Sequence, residues 1–230
     1  MFVALTDFPA NPYLIPNKAE NANGITASIE TREREILEKT LGLLFYRTLV
    51  AGVNALPAEW ATGTTYAIGN QVVYGIEIYQ ATSSGSGNIP GASGQWVVRP
   101  SNKWLKLKKG DVYNYDGREN VWVGMKECLL TYIHAIYLVD YHTSITATGV
   151  VKHVSENSEP ADPSQRIIEG YNKFSKYVGS FHCHEDSLIG YLYANRLLFD
   201  EDVTSKGYSS FWEYLCYKFV WPDYMNSHGL

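Results

Sequence analysis

The sequence predicts a mainly α protein, a small antiparallel helical bundle with an extended arm or hairpin, plus an inserted small all-β module. Three observations predict it. The stretch Val121 to Tyr141, VWVGMKECLLTYIHAIYLVDY, repeats apolar residues at steps of three or four: Val121, Met125, Leu129, Tyr132, Ile136 and Val139. Lys126, Thr131 and Asp140 lie off that stripe, so one face of a helix is apolar and needs cover. Long segments before and after it carry the same period and can supply the cover. Between the first two helices, residues 58–108 switch to short β-favouring runs parted by Gly/Ser turns.

Taken in order, residues 1–25 are rich in Pro and Asn, which withhold donors and favour turns, and read as an extended arm. Phe2, Phe8, Tyr13, Leu14 and Ile15 are too apolar for a free tail, so the arm is expected over its own domain or a neighbouring subunit. The first helix runs from about Ile29 to Val53, with Ser28 as N-cap and Glu30, Glu33 and Glu35 where the dipole favours anions. Ile36, Leu37, Leu41, Leu44, Phe45 and Leu49 form its buried stripe. Gly42 inside that stripe costs about 1 kcal/mol relative to Ala, which points to a close helix crossing. Gly52, Asn54 and Pro57 end the helix.

Residues 1–57 are thus arm and first helix, 58–108 the β module, and 109–230 the rest of the helical domain with an arm at 145–161. Strands are expected over Gln71–Tyr74, Ile76–Ala81 and Gln95–Val98, and Gly110 to Asn120 reads as a connection. Ile145 to Val154 is Thr/Val-rich, a strand or extended arm. Asp162-Pro163-Ser164-Gln165 starts a helix with an N-cap acid, a first-turn proline and a capping-box glutamine. Its face is Ile167, Ile168, Tyr171, Phe174, Val178 and Phe181, and Leu188, Ile189 and Leu192 carry it on toward Phe199. Residues 200–207 read as a loop. Ser210 with Glu213 opens a short helix with Phe211, Leu215 and Phe219 inward, stopped by Trp221-Pro222, and residues 225–230 fray.

The totals restrict function. Hydrophobic content of 45% supports one core, and 18 tyrosines suit either a Tyr-rich core or a contact surface. A net charge of −5 without a basic block argues against dedicated nucleic-acid binding. Cys128, Cys183 and Cys216 are scattered and odd in number, as in a reducing cytoplasm. The N-terminus lacks a charged leader, and no run of roughly 18 apolar residues spans a membrane.

Chemistry is hard to find in the chain. His182, Cys183 and His184 are metal-ligating types, but residues two apart on a helix point about 200° apart, and no second ligand pair is evident. His134 and His142 flank the central helix as core or interface residues. Asp200, Glu201 and Asp202 are contiguous, which suits a solvated turn better than a catalytic pair. GxGxxG, P-loop, GxSxG and HExxH patterns do not occur, and the glycine-rich Gly85–Gly94 precedes a strand, not a phosphate-binding helix. The expectation is no enzyme, no catalytic residue, no metal and no cofactor.

Trp60, Tyr66, Gly69, Val72, Tyr74, Tyr79, Ala81, Pro90 and Trp96 follow the order of a known pattern over about 40 residues. In this the segment resembles the small chitin-binding module of bacterial chitinases and phage structural proteins. The glycine expected two after Tyr74 has moved to Gly75, leaving Ile76. Thr82-Ser83-Ser84 stands where sugar-binding relatives carry exposed tryptophans. The resemblance makes Tyr66, Tyr79 and Trp96 the candidate carbohydrate contacts.

The flanking part is similar to the head–tail connector (adaptor) proteins of tailed bacteriophages. The similarity rests on Ile36 to Tyr46, on Val123-Gly124 with Tyr132 to Tyr141, on Thr148 to Val151, and on Pro160 to Tyr171. It implies a structural virion protein at the neck: a ring of about twelve copies joining the portal to the next tail or neck ring protein, with DNA passing through the channel without specific binding. An arm between helices would reach the neighbouring subunit or portal, here through Ile145, Val150, Val151 and Val154. The alternative is a carbohydrate-binding adhesion module contacting host glycans.

Overall fold

A computed structural model describes residues 2–8, 22–100, 102–146, 149–152, 164–179, 186–220 and 222. Seven α-helices and small antiparallel sheets make up these residues, so the fold is mixed and mainly α. The first helix, α1 (Ala22–Asn54), begins seven residues before Ile29, so Ser28 lies inside it and is not its cap. The predicted stripe holds: Ile36, Leu37, Leu41, Phe45 and Leu49 are buried, with Leu44 packed at the edge of the same core. At Gly42 the helix breaks, with φ 74° and ψ 150°.

Residues 2–8 fold onto this helix. Phe2, Val3 and Phe8 sink into the core around a 3-10 turn at Leu5–Asp7. Apolar burial draws them in, and the carboxylate of buried Glu33 accepts the Phe2 and Val3 amides that would otherwise lie unpaired. Of the two placements open to the arm, these residues take the intramolecular one. Tyr13, Leu14 and Ile15 lie outside the described residues.

The β-rich stretch contains β1 (Thr65–Tyr66), β2 (Gln71–Tyr74), β3 (Glu77–Ala81), β4 (Gly85–Ser86) and β5 (Trp96–Arg99). Strands β2, β3 and β5 form an antiparallel sheet in that order, with Val72 opposite Tyr79 and Ala81 opposite Trp96; β1 pairs with β4. One face of the sheet gathers Tyr66, Val72, Tyr79, Ala81 and Trp96. The other packs Val73 and Ile78 on Leu105.

Leu105 belongs to α2 (Lys103–Lys109), a helix inside the segment expected to be β. Asn102 caps it by accepting from the Trp104 amide, and three lysines in its last turn suit the dipole. Trp104 and Leu107 face the main core while Leu105 faces the sheet, so one short helix serves both.

The connection expected over Gly110 to Asn120 is instead a hairpin, β6 (Asp111–Tyr115) and β7 (Arg118–Trp122). Asp116 and Gly117 take φ of 50° and 75°, the left-handed pair a two-residue hairpin turn requires. Val121 therefore lies in β7, exposed opposite Val112, and not at the head of the central helix. Trp122 points the other way, fully buried, its indole N–H donating to the Leu107 carbonyl at 2.9 Å.

The central helix α3 (Met125–His142) buries more of its circumference than the predicted stripe. Met125, Cys128, Leu129, Leu130, Ile133 and Ala135 are all inside, while Val139 is exposed. Thr131, expected off the stripe, is fully buried; its hydroxyl donates to the Cys128 carbonyl at 2.7 Å, which makes the polar group admissible. Helix α4 (Ser164–Val178) runs antiparallel to α3, Gly170 against Ala135 and Lys173 near Glu127. Between them the hairpin β8 (Thr143–Thr146) and β9 (Gly149–Lys152) follows α3 directly.

Leu188, Ile189 and Leu192 are buried as expected, but on a separate helix, α5 (Leu188–Ala194), capped by Ser187. The segment read as a loop at 200–207 contains α6 (Asp200–Thr204), held by fully buried Val203. The last helix, α7 (Phe211–Lys218), begins at Ser210, whose hydroxyl accepts from the Glu213 amide at 3.1 Å. Glu213 reaches back to Ser209, not Ser210, and those bonds hold its carboxyl below the usual range.

Candidate interaction surfaces

Reactive groups are few among the described residues. No group of three or more His, Cys, Asp or Glu there is placed to hold a metal ion. Cys128 is 1% exposed, and burial pushes its thiol far up, so it packs as a small apolar group. Burial likewise raises the Tyr191 and Tyr214 hydroxyls. His134 is buried in α3, as a core histidine would be. His182, Cys183 and His184 lie outside the described residues. Asp200 and Asp202 are engaged structurally: Asp200 accepts from the Phe211 amide at 2.7 Å, and Asp202 pairs with Lys103 at 2.6 Å.

The three candidate sugar contacts converge, but inward. Tyr66 and Trp96 meet edge-to-face at 5.2 Å, and Tyr79 shares their cluster. Each polar tip is used within the protein: Trp96 donates to the Asn88 carbonyl, Tyr79 donates to Glu77, and Tyr66 accepts from the Ala61 amide. Sugar stacking needs an open ring face, and these rings are 8–9% exposed. Tyr74 does reach solvent, 40% exposed and edge-to-face with the half-buried Trp60.

Of the candidate arm residues, the backbone register puts Ile145 opposite Val150 and Val151 opposite Ser144. Val154 lies outside the described residues. Among the described residues, the β8–β9 sheet has two strands. Beside α3, a shallow groove of about 220 Å³ opens between that helix and the first turns of α1, lined by Ile25, Ile29, Ile133, Ile136 and Tyr137. Arg32 and Asp140 mark its rim at 3.6 Å from each other. A wider cleft of about 530 Å³ separates the β2–β3 turn from α3, with Ile76 on one wall and Leu130 on the other.

Reading the sequence missed Glu33 and Tyr214 as organising residues. A glutamate in the first half of a helix carries no signal that it will be buried, because its partners are backbone amides about 30 positions earlier. Tyr214 lay beside the predicted inward positions Phe211 and Leu215, at the helical spacing that could have included it.

The chain matches no family model, no curated protein and no solved structure. No helix among the described residues is long and apolar enough to cross a membrane.

Proposed function

We propose that this chain is a structural virion protein, a head–tail connector subunit at the neck of a tailed bacteriophage. In this reading the helices form a small antiparallel bundle, the segment 58–108 is an inserted module displayed on the outside, and the hairpin after α3 is the arm that meets the portal or the neighbouring copy. About twelve copies would close a ring between the portal and the next neck or tail protein, and DNA would pass through without being gripped.

The observation that carries this is the unit α3, β8–β9, α4. An antiparallel helix pair carries a two-stranded hairpin at its turn, and a hairpin of that size is marginal in water without a further surface. A neighbouring subunit supplies such a surface. Support for the inserted module comes from the motif: five of its residues, Tyr66, Val72, Tyr79, Ala81 and Trp96, form one cluster, with Trp60 packed on it.

The adhesion alternative draws less support, because the three aromatic rings proposed to stack on sugar are committed to that cluster. The test is imaging of purified particles of the phage that encodes the chain. Density for it as a ring between portal and tail supports the reading, and its absence from mature particles overturns it.

A further inference from the structure

Helix α1 is broken at Gly42, and the break is filled from α7. The Tyr214 hydroxyl donates to the Leu41 carbonyl at 2.7 Å and accepts from the Phe45 amide at 3.1 Å. An uninterrupted α-helix would join those two groups directly, since residue 45 is four on from residue 41. The hydroxyl is thus inserted into one rung of the helix ladder. Just beyond α7, the Val220 amide donates to the Thr40 carbonyl at 3.0 Å, so the segment leaving that helix serves the adjacent carbonyl.

The sequence pattern runs straight through this break. Leu37, Leu41, Phe45 and Leu49 recur at steps of four, the stripe of a continuous helix, and all are buried. Glycine at position 42 can adopt both the observed φ of 74° and a helical φ without penalty from a side chain. A Cβ there would sit 2.6 Å from the Tyr214 hydroxyl and 3.1 Å from Lys218 Cβ. The wedge itself is a short helix that follows a stretch of exposed residues, Thr204 to Gly207.

We propose that α1 is a two-state helix, held bent by Tyr214 and free to close across Gly42 when α7 is drawn away. In the closed form Leu41 and Phe45 complete their own rung, so withdrawal leaves neither group orphaned. What is lost on opening is the apolar cover that Phe211, Leu215 and Phe219 give, and that cover holds the bent form in place. The device couples the seating of α7 to the direction of the N-terminal half of α1, which carries the groove residues Ile25 and Ile29. It does not depend on the connector reading.

The test is hydrogen–deuterium exchange by mass spectrometry on the full chain. Tyr214→Phe keeps the ring and removes the inserted hydroxyl. The expected result is exchange about tenfold faster over 211–220 together with slower exchange over 43–46, as the rung closes. Gly42→Ala, which denies the bent conformation, should give the same pattern more strongly. Wild-type rates in both segments, faster exchange over 43–46, or uniform acceleration across the chain would each overturn the proposal. If Gly42→Ala does not fold, Tyr214→Phe decides alone.

Discussion

Glu33 takes the Phe2 amide on both carboxylate oxygens, at 3.0 and 2.8 Å, and the Val3 amide on one of them at 3.0 Å. The group is 4% exposed, and burial raises its pKa above 4.5 although the two amides pull it down. The folded form therefore holds its proton more tightly than the unfolded form. Stability from this group is greatest below pH 4.5 and falls as pH rises through the folded pKa. The Tm of the wild type minus that of Glu33→Gln should accordingly decrease with rising pH in a window opening at 4.5. A difference that is flat, or grows with pH, would contradict the assignment.

Gly52 lies flat against the Trp104 indole, where a Cβ would come within 2.4 Å of the ring. Trp104 is itself wedged among Phe45 and Phe199, so it has little room to yield. Gly52→Ala is expected to cost about 1–3 kcal/mol in chemical denaturation, although alanine is the better helix former. A neutral or stabilising effect would show that the indole moves freely.

The Tyr191 hydroxyl is buried with no hydrogen-bond partner among the described residues. Removing an unsatisfied buried group recovers its desolvation cost, so Tyr191→Phe should raise stability by about 1 kcal/mol. A comparable loss would reveal a partner for that oxygen.

Because Tyr66, Tyr79 and Trp96 are buried in one cluster, titration with chitin oligosaccharides should leave tryptophan fluorescence unchanged. Trp96→Ala should instead destabilise the surrounding sheet by about 3–5 kcal/mol, read as faster exchange over β2, β3 and β5. Saturable sugar binding by the wild type that is lost in Trp96→Ala would favour adhesion over a neck role.

Replacing residues 143–152 with a short Gly/Ser linker should leave the Tm of the isolated chain within a few degrees of the wild type. On the connector reading proposed above, particle assembly, scored by complementation of a phage lacking the gene, should fail. Full complementation by the truncated chain would remove the hairpin from the proposed interface.

Much of the helical layout was legible because its signals are local. The stripe from Ile36 to Leu49, the inward face of Phe211, Leu215 and Phe219, and the Ser210 cap are all set within a few residues. The same holds for the strands around Val72 and Tyr79. The hairpin at Asp116-Gly117 had an equally local signal, an Asp-Gly turn between alternating residues, but the apolar run beyond it drew Val121 into the helix. What sequence periodicity does not carry is long-range polar pairing. Glu33 with Phe2 and Tyr214 with Leu41 join positions 31 and 173 apart, and the break at Gly42 follows from the second. The candidate surfaces were legible only as composition, since Tyr66 and Trp96 look the same in a core as on a sugar-binding face.

Lys109 at the end of α2 reaches both the Gly75 carbonyl, at 2.8 Å, and Glu59, at 2.7 Å. With Leu105 packed against the back of the same sheet, the strands are fastened at two points to the helices below. They do not swing on a leash. Whatever the outer edge of that sheet touches, it meets at an angle dictated by the helical body, and lengthening the chain on either side of residues 58–100 would not by itself turn it loose.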